Sequence, residues 1–121
     1  MLANGFATAI KSQDKALMRS VTCSGVVWSL PGSNLISGDA EGVDGLLRRG
    51  RLLAENGVNI EVEYLVYGRY GFGFLLHNTG SRLGRVLDEH LTSVCQTKDG
   101  LISRVDTYIS DVEMLDRYFA P

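Results

Sequence analysis

From Val58 to Ile109 the sequence keeps a two-residue rhythm that is broken at short intervals by turn residues. In "VNIEVEYLVYG", Val58, Ile60, Val62, Tyr64 and Val66 alternate with Asn59, Glu61 and Glu63, the pattern of a strand with one face buried. Gly68–Arg69–Tyr70–Gly71, Gly80 to Gly84 and Lys98–Asp99–Gly100 then turn the chain into "FGFLLHNT", "RVLDEHLTSVCQT" and "LISRVDTYI". Four long antiparallel strands in a meander have one apolar face that must be covered, so the rest of the chain has to supply the cover.

Helices are the expected cover. Leu2, Phe6, Ala9 and Ile10 fall at helical spacing, and Asp14 stands where it can cap a second helix bearing Leu17, Met18 and Val21. "SGVVWSLPG" reads as a strand stopped by Pro31–Gly32, and residues 32 to 39 as a loop. From Glu41 to Asn56 an apolar stripe marks a third helix, with Gly57 placed to end it. Gly42, Gly45 and Gly50 weaken that helix by about 1 kcal/mol each relative to Ala, so it needs tertiary packing. Ser110-x-x-Glu113 reads as a capping box for a last short helix. The expected architecture is α+β: a cone-shaped curved antiparallel sheet with helices on its concave side, one domain over 1–121. A curved sheet incompletely closed by helices leaves room for a small molecule.

Composition narrows the partners. At 121 residues with a formal net charge of -2, the chain lacks the basic excess of a nucleic-acid binder. Arg48, Arg49 and Arg51 cluster, but on a helix, where a solvated face is expected. No run approaches the length of a membrane span, and the N-terminus has no signal-peptide pattern, so a cytoplasmic protein is expected. Cys23 and Cys95 have no paired or metal-ligand spacing and are expected as reduced thiols.

Three stretches, "VVWSLPGSNLISG" after two helices, "SRLGRVLDEHLTSVCQTKDGLISRVDTYISD" and "VEMLDRYF", together resemble the nuclear transport factor two-like superfamily. That group includes ketosteroid isomerase and the SnoaL-like polyketide cyclases. The resemblance implies the conical fold, and it places the isomerase's base on Ser29, its tyrosine near Phe6 and its protonated aspartate near Thr92. None of the three is kept, which argues against steroid-type enolisation through that apparatus. The order His77, Gly84–Arg85, Asp88 is similar to the SnoaL-like branch, whose cyclases carry a histidine on one pocket strand and an aspartate early in the next.

Period two puts Asp88, His90, Thr92, Val94 and Gln96 on one strand face and Leu87, Glu89, Leu91, Ser93 and Cys95 on the other. The resemblance turns the first set inward, with Asp88, His77 and His90 as the acid–base groups. Ser29, Thr92, Trp28, Phe6, Val27, Val105 and Ile109 would then contact the substrate. In a second reading Asp88 is simply solvated at the mouth of the cone and His90 is satisfied by one internal hydrogen bond. His77, Asp88 and His90 are metal-compatible in type, but no spacing supports a metal site, and neither metal nor cofactor is expected. Trp28, Tyr64, Tyr67, Phe72 and Phe74 could line a pocket for a flat, apolar substrate, although aromatics on strands more often fill the core or a subunit interface. The resemblance further implies a homodimer through the outer sheet face, which would carry Arg104, Asp106 and Tyr108. The function expected is SnoaL-like acid–base chemistry on a small apolar or polyketide-like carbonyl compound (cyclase, isomerase or dehydratase). The alternative is a non-catalytic dimeric ligand-binding or scaffold module of the same fold.

Overall fold

A computed structural model describes residues 2–121. Two helices, α1 (Leu2–Ser12) and α2 (Lys15–Val21), lead into strand β1 (Thr22–Leu30), the short β2 (Gly38–Glu41) and helix α3 (Gly42–Glu55). The meander β3 (Asn59–Gly68), β4 (Gly71–Arg82), β5 (Arg85–Lys98) and β6 (Leu101–Ile109) follows, and α4 (Val112–Tyr118) closes the chain. The six strands form one sheet in the order β2-β1-β6-β5-β4-β3.

The meander forms by local chemistry. Leu83–Gly84 and Asp99–Gly100 all take positive φ, as tight hairpin turns between right-twisted strands require. Asp14 caps α2 by accepting from the Leu17 N–H at 3.0 Å, and Gly57 ends α3 with φ 75°. Gly50 lets α3 pack on α1, because a Cβ there would come within 2.8 Å of Ile10 Cγ2. Among the described residues no helix is long and apolar enough to cross a membrane.

Four expectations change. The sheet is not wholly antiparallel, since β1 runs parallel to its neighbour β6; the first strand reaches the far end of the meander from outside it. The expected 32–39 loop gives way at Gly38 to β2, which pairs with β1. α4 is capped by Asp111, which accepts from Met114 N–H at 3.0 Å, while the Ser110 hydroxyl accepts from His90 N–H instead. Arg49 does not join a solvated face. It is buried, donating to the carbonyls of Trp28 (2.6 Å) and Gly38 (2.8 Å) and lying 5.0 Å from the Trp28 ring. It thereby pins α3 to β1 and β2, and desolvation lowers its pKa to about 10.

The core sits between the helices and one face of the sheet. Ala9, Met18, Val26, Leu46, Ile102 and Val105 have essentially no exposure, and burying each of the five larger side chains contributes about 1.5–3 kcal/mol. Phe6 of α1 reaches across to Trp28 and Phe74, with ring centroids 6.2 and 6.1 Å away. Cys23 and Cys95 are free thiols, and burial raises the Cys95 pKa to about 12.

Candidate functional site

On β5 the buried side chains are Leu87, Glu89, Leu91, Ser93 and Cys95, while Asp88, His90, Val94 and Gln96 are exposed. The inward face is therefore the opposite of the one expected. Leu87, Leu91 and Cys95 supply the apolar surface the helices require, and a strand cannot turn both residue sets inward. Asp88, His77 and His90 do share one face and touch one another, but it is the outer face. The SnoaL-like marker Gly84–Arg85 also lies away from the cone: Arg85 donates to the carbonyl of Ala120, and Arg82 to those of Tyr118 and Ala120.

The concave side encloses a cavity of about 200 Å³ between the sheet and α1, largely apolar in its lining. Phe6, Trp28, Val105 and Ile109 are among the residues that line it. Val27 and Ser29 do not, because they alternate with the inward-facing Val26, Trp28 and Leu30, and Thr92 faces outward with His90.

Two polar residues break the apolar lining at one end. Asn78 and Glu89 stand directly opposite each other on β4 and β5, are 5% and 2% exposed, and both face the cavity. Asn78 Oδ1 and Glu89 Oε2 have no hydrogen-bond partner, where an unpartnered buried acceptor costs about 1–3 kcal/mol. Burial, reinforced by the Asp111 carboxylate, raises the Glu89 pKa to about 7. Near neutral pH this carboxyl is thus divided between its proton-holding and proton-accepting forms, the condition that suits acid–base work.

A second polar group lies along the same wall. Trp28 Nε1–H donates to Thr107 Oγ1 at 2.8 Å, and the Thr107 and Ser93 hydroxyls bond each other at 2.8 Å. The indole supplies its own proton to Thr107, and the two hydroxyls together hold two protons, of which their mutual bond uses one. One O–H donor is left over. Ser93 is four residues from Glu89 on the same strand, so the polar ends are about 13 Å apart along the backbone.

The signal for Glu89 and Asn78 was present in the sequence: Glu89 lies between Leu87 and Leu91 at period two, and Asn78 shares parity with Phe72, Phe74 and Leu76. Apolar parity placed both inside.

On the outer face, His77 Nε2 lies 2.6 Å from Asp88 Oδ1 and His90 Nδ1 lies 3.0 Å from Glu63 Oε1. The two imidazoles are stacked, with centroids 4.3 Å apart and planes at 11°. The hydrogen bond to Asp88 raises the His77 pKa, with further contributions from the Asp88, Glu63 and Glu61 charges.

No protein-family model matches the sequence, and no curated protein sequence does so either. Solved structures do match. An NTF2-like protein from Burkholderia xenovorans is 19% identical, with 98% of this chain and 92% of that one covered at a TM-score of 0.83. A protein assigned as a SnoaL-like polyketide cyclase from Jannaschia is 14% identical, with 99% and 92% covered at 0.70. TerC, co-crystallised with polyporic acid, is 12% identical, with 99% and 96% covered at 0.79. The fold is therefore the NTF2-like cone, and SnoaL-like polyketide cyclases are among its neighbours.

Proposed function

We propose that the chain is a small-molecule enzyme of the SnoaL-like kind, performing general acid–base chemistry on a compact, mostly apolar carbonyl compound with Glu89 as the proton-transfer group. The observation that carries this reading is the orphaned, buried Glu89 carboxyl beside Asn78 in an otherwise apolar cavity. Burying such a group without a partner is unfavourable in a merely structural core, and a ligand that fills the cavity would supply the missing donor.

In this reading the carboxylate of Glu89 takes a proton from the carbon next to the substrate carbonyl and returns it elsewhere on the skeleton. The Asn78 amide donates to the oxygen that gains charge, an effect worth a few kcal/mol in a dry site. The spare O–H of the Ser93–Thr107 pair fixes a second oxygen at the far end. A cavity of about 150 Å³ accepts a benzene ring, so about 200 Å³ suits one substituted ring. Two copies pairing through the outer sheet face belong to the same reading, supported by the cross-strand row Tyr64, Leu75, Thr92 and Tyr108, of which Tyr64 and Tyr108 are about two-thirds exposed.

The test is exchange of α-protons for deuterium in D2O on a panel of cyclic ketones, followed by NMR. The wild type should accelerate exchange of at least one, through an ionisation near pH 7. Glu89→Gln should lower that rate by about 10²–10⁴-fold. Binding with no exchange, or exchange untouched by Glu89→Gln, would instead support the non-catalytic binding module.

A further inference from the structure

We propose that the outer face of the sheet carries a binding site for a divalent transition-metal ion, formed by the imidazoles of His77 and His90 and the carboxylate of Glu63, with Asp88 orienting His77. This site is distinct from the cavity, on the other side of the same strands.

Strand register assembles it. His77 and His90 are direct cross-strand partners on β4 and β5, which puts their rings side by side. The β3–β4 pairing slips between Val62 and Tyr64, making Glu63 the extra residue of a bulge. Such bulges re-aim side chains, and this one delivers the Glu63 carboxylate to His90. One ligand atom from each of Glu63, His77 and His90 lies within 4.8 Å of the other two.

One of the three ligand separations already matches what a tetrahedral ion needs. Bonds of about 2.0–2.1 Å at tetrahedral angles separate ligand atoms by about 3.3 Å, and Glu63 Oε1 to His90 Nδ1 is already 3.0 Å. The ion takes the place of the proton shared by that pair. The stacked rings must fan apart so that the His77 lone pair meets the same point, a rotation open to His90 in the single chain, where 64% of its side chain is exposed.

His77 is already held as a metal-bound histidine is held. With the proton on Nε2 donated to Asp88 Oδ1 at 2.6 Å, Nδ1 keeps a free lone pair, and a carboxylate behind the ring raises its basicity. Charge points the same way. The carboxylates of Glu63 and Asp88 pair only with the two imidazoles among the described residues, and Glu61 stands opposite His77. Neutral imidazoles leave this negative field unanswered, and protonating both stacked rings would set two cations face to face. A single dication answers both rings at once. Two nitrogens and a carboxylate, with a water completing the shell, favour zinc, nickel, cobalt or copper over calcium or magnesium. Because the ligands come from three strands, no local spacing announced them.

The experiment is calorimetric titration of zinc chloride into the tag-free, chelator-stripped full chain, repeated with cobalt and read by visible absorption. The proposal expects one saturable equivalent per chain and d–d bands on adding cobalt, both lost in the His77→Ala/His90→Ala double variant. Asp88→Asn should weaken the affinity by about 10–100-fold. The imidazole NMR signals of the wild type should shift with the same stoichiometry, which keeps the test decisive if a variant folds poorly. No saturable binding, or binding unchanged in the double variant, overturns the proposal.

Discussion

The two faces of strand β5 carry similar chemical groups under opposite conditions. Glu89 points into the cone and is 2% exposed; Asp88, next to it, points outward with 64% of its side chain exposed. Inside, the carboxyl meets no donor for Oε2, and loss of water raises its pKa to about 7. Outside, the carboxylate meets a histidine at 2.6 Å, and that bond raises the histidine's pKa. Desolvation governs one face and pairing governs the other. Side-chain identity alone does not say where the chemistry lies.

Exchanging the character of adjacent residues breaks the comparison most severely. Leu87→Asp puts an unpaired charge where 1% of the side chain is exposed, and chemical denaturation should report a loss of more than about 4 kcal/mol or no folded protein. Asp88→Leu, one residue on, should leave a folded chain.

Next in size is the pH dependence set by Glu89. The folded chain holds this proton to about pH 7 while an unfolded glutamate releases it near 4.5, so between these values the folded state binds more protons. Stability therefore falls as pH rises through that window and is recovered on acidification. Glu89→Gln should raise the melting temperature at pH 8 and flatten this part of the curve, even as it slows proton exchange on ketones.

Smaller effects sharpen the picture. Trp28→Phe removes the indole N–H that Thr107 accepts and should cost on the order of 1 kcal/mol. Asp88→Asn should move the His77 pKa, followed by NMR, back down towards its ordinary value, since the bond to Asp88 is the largest cause of its rise.

Much of the fold was legible because its signals are local or periodic: the alternation from Val58 to Val62, the turn glycines Gly84 and Gly100, and the Asp14 cap each act within a few residues, whereas the bulge at Glu63 turns Tyr64 and Val66, expected on the buried face, outward. The candidate site was legible in part. Phe6, Trp28, Val105 and Ile109 line the cavity, but the polar positions were assigned by a distant resemblance, which overrode the apolar rhythm of Leu87, Leu91 and Cys95. Identity of 12–19% to neighbouring structures carries the path of the chain and no residue roles. Partners from distant segments were beyond sequence reasoning: the bulge that brings Glu63 to His90, the parallel β1–β6 pairing, and the Arg49 guanidinium reaching the carbonyls of Trp28 and Gly38.

The most direct measurement is the titration of the Glu89 side-chain carboxyl carbon by NMR, assigned by its disappearance in Glu89→Gln. A midpoint near pH 7 is what a buried, partnerless acid lining the cavity requires. A midpoint at the ordinary glutamate value of about 4.5 would mean that water or a donor already satisfies this carboxyl, and Glu89 could then not be the acid–base centre.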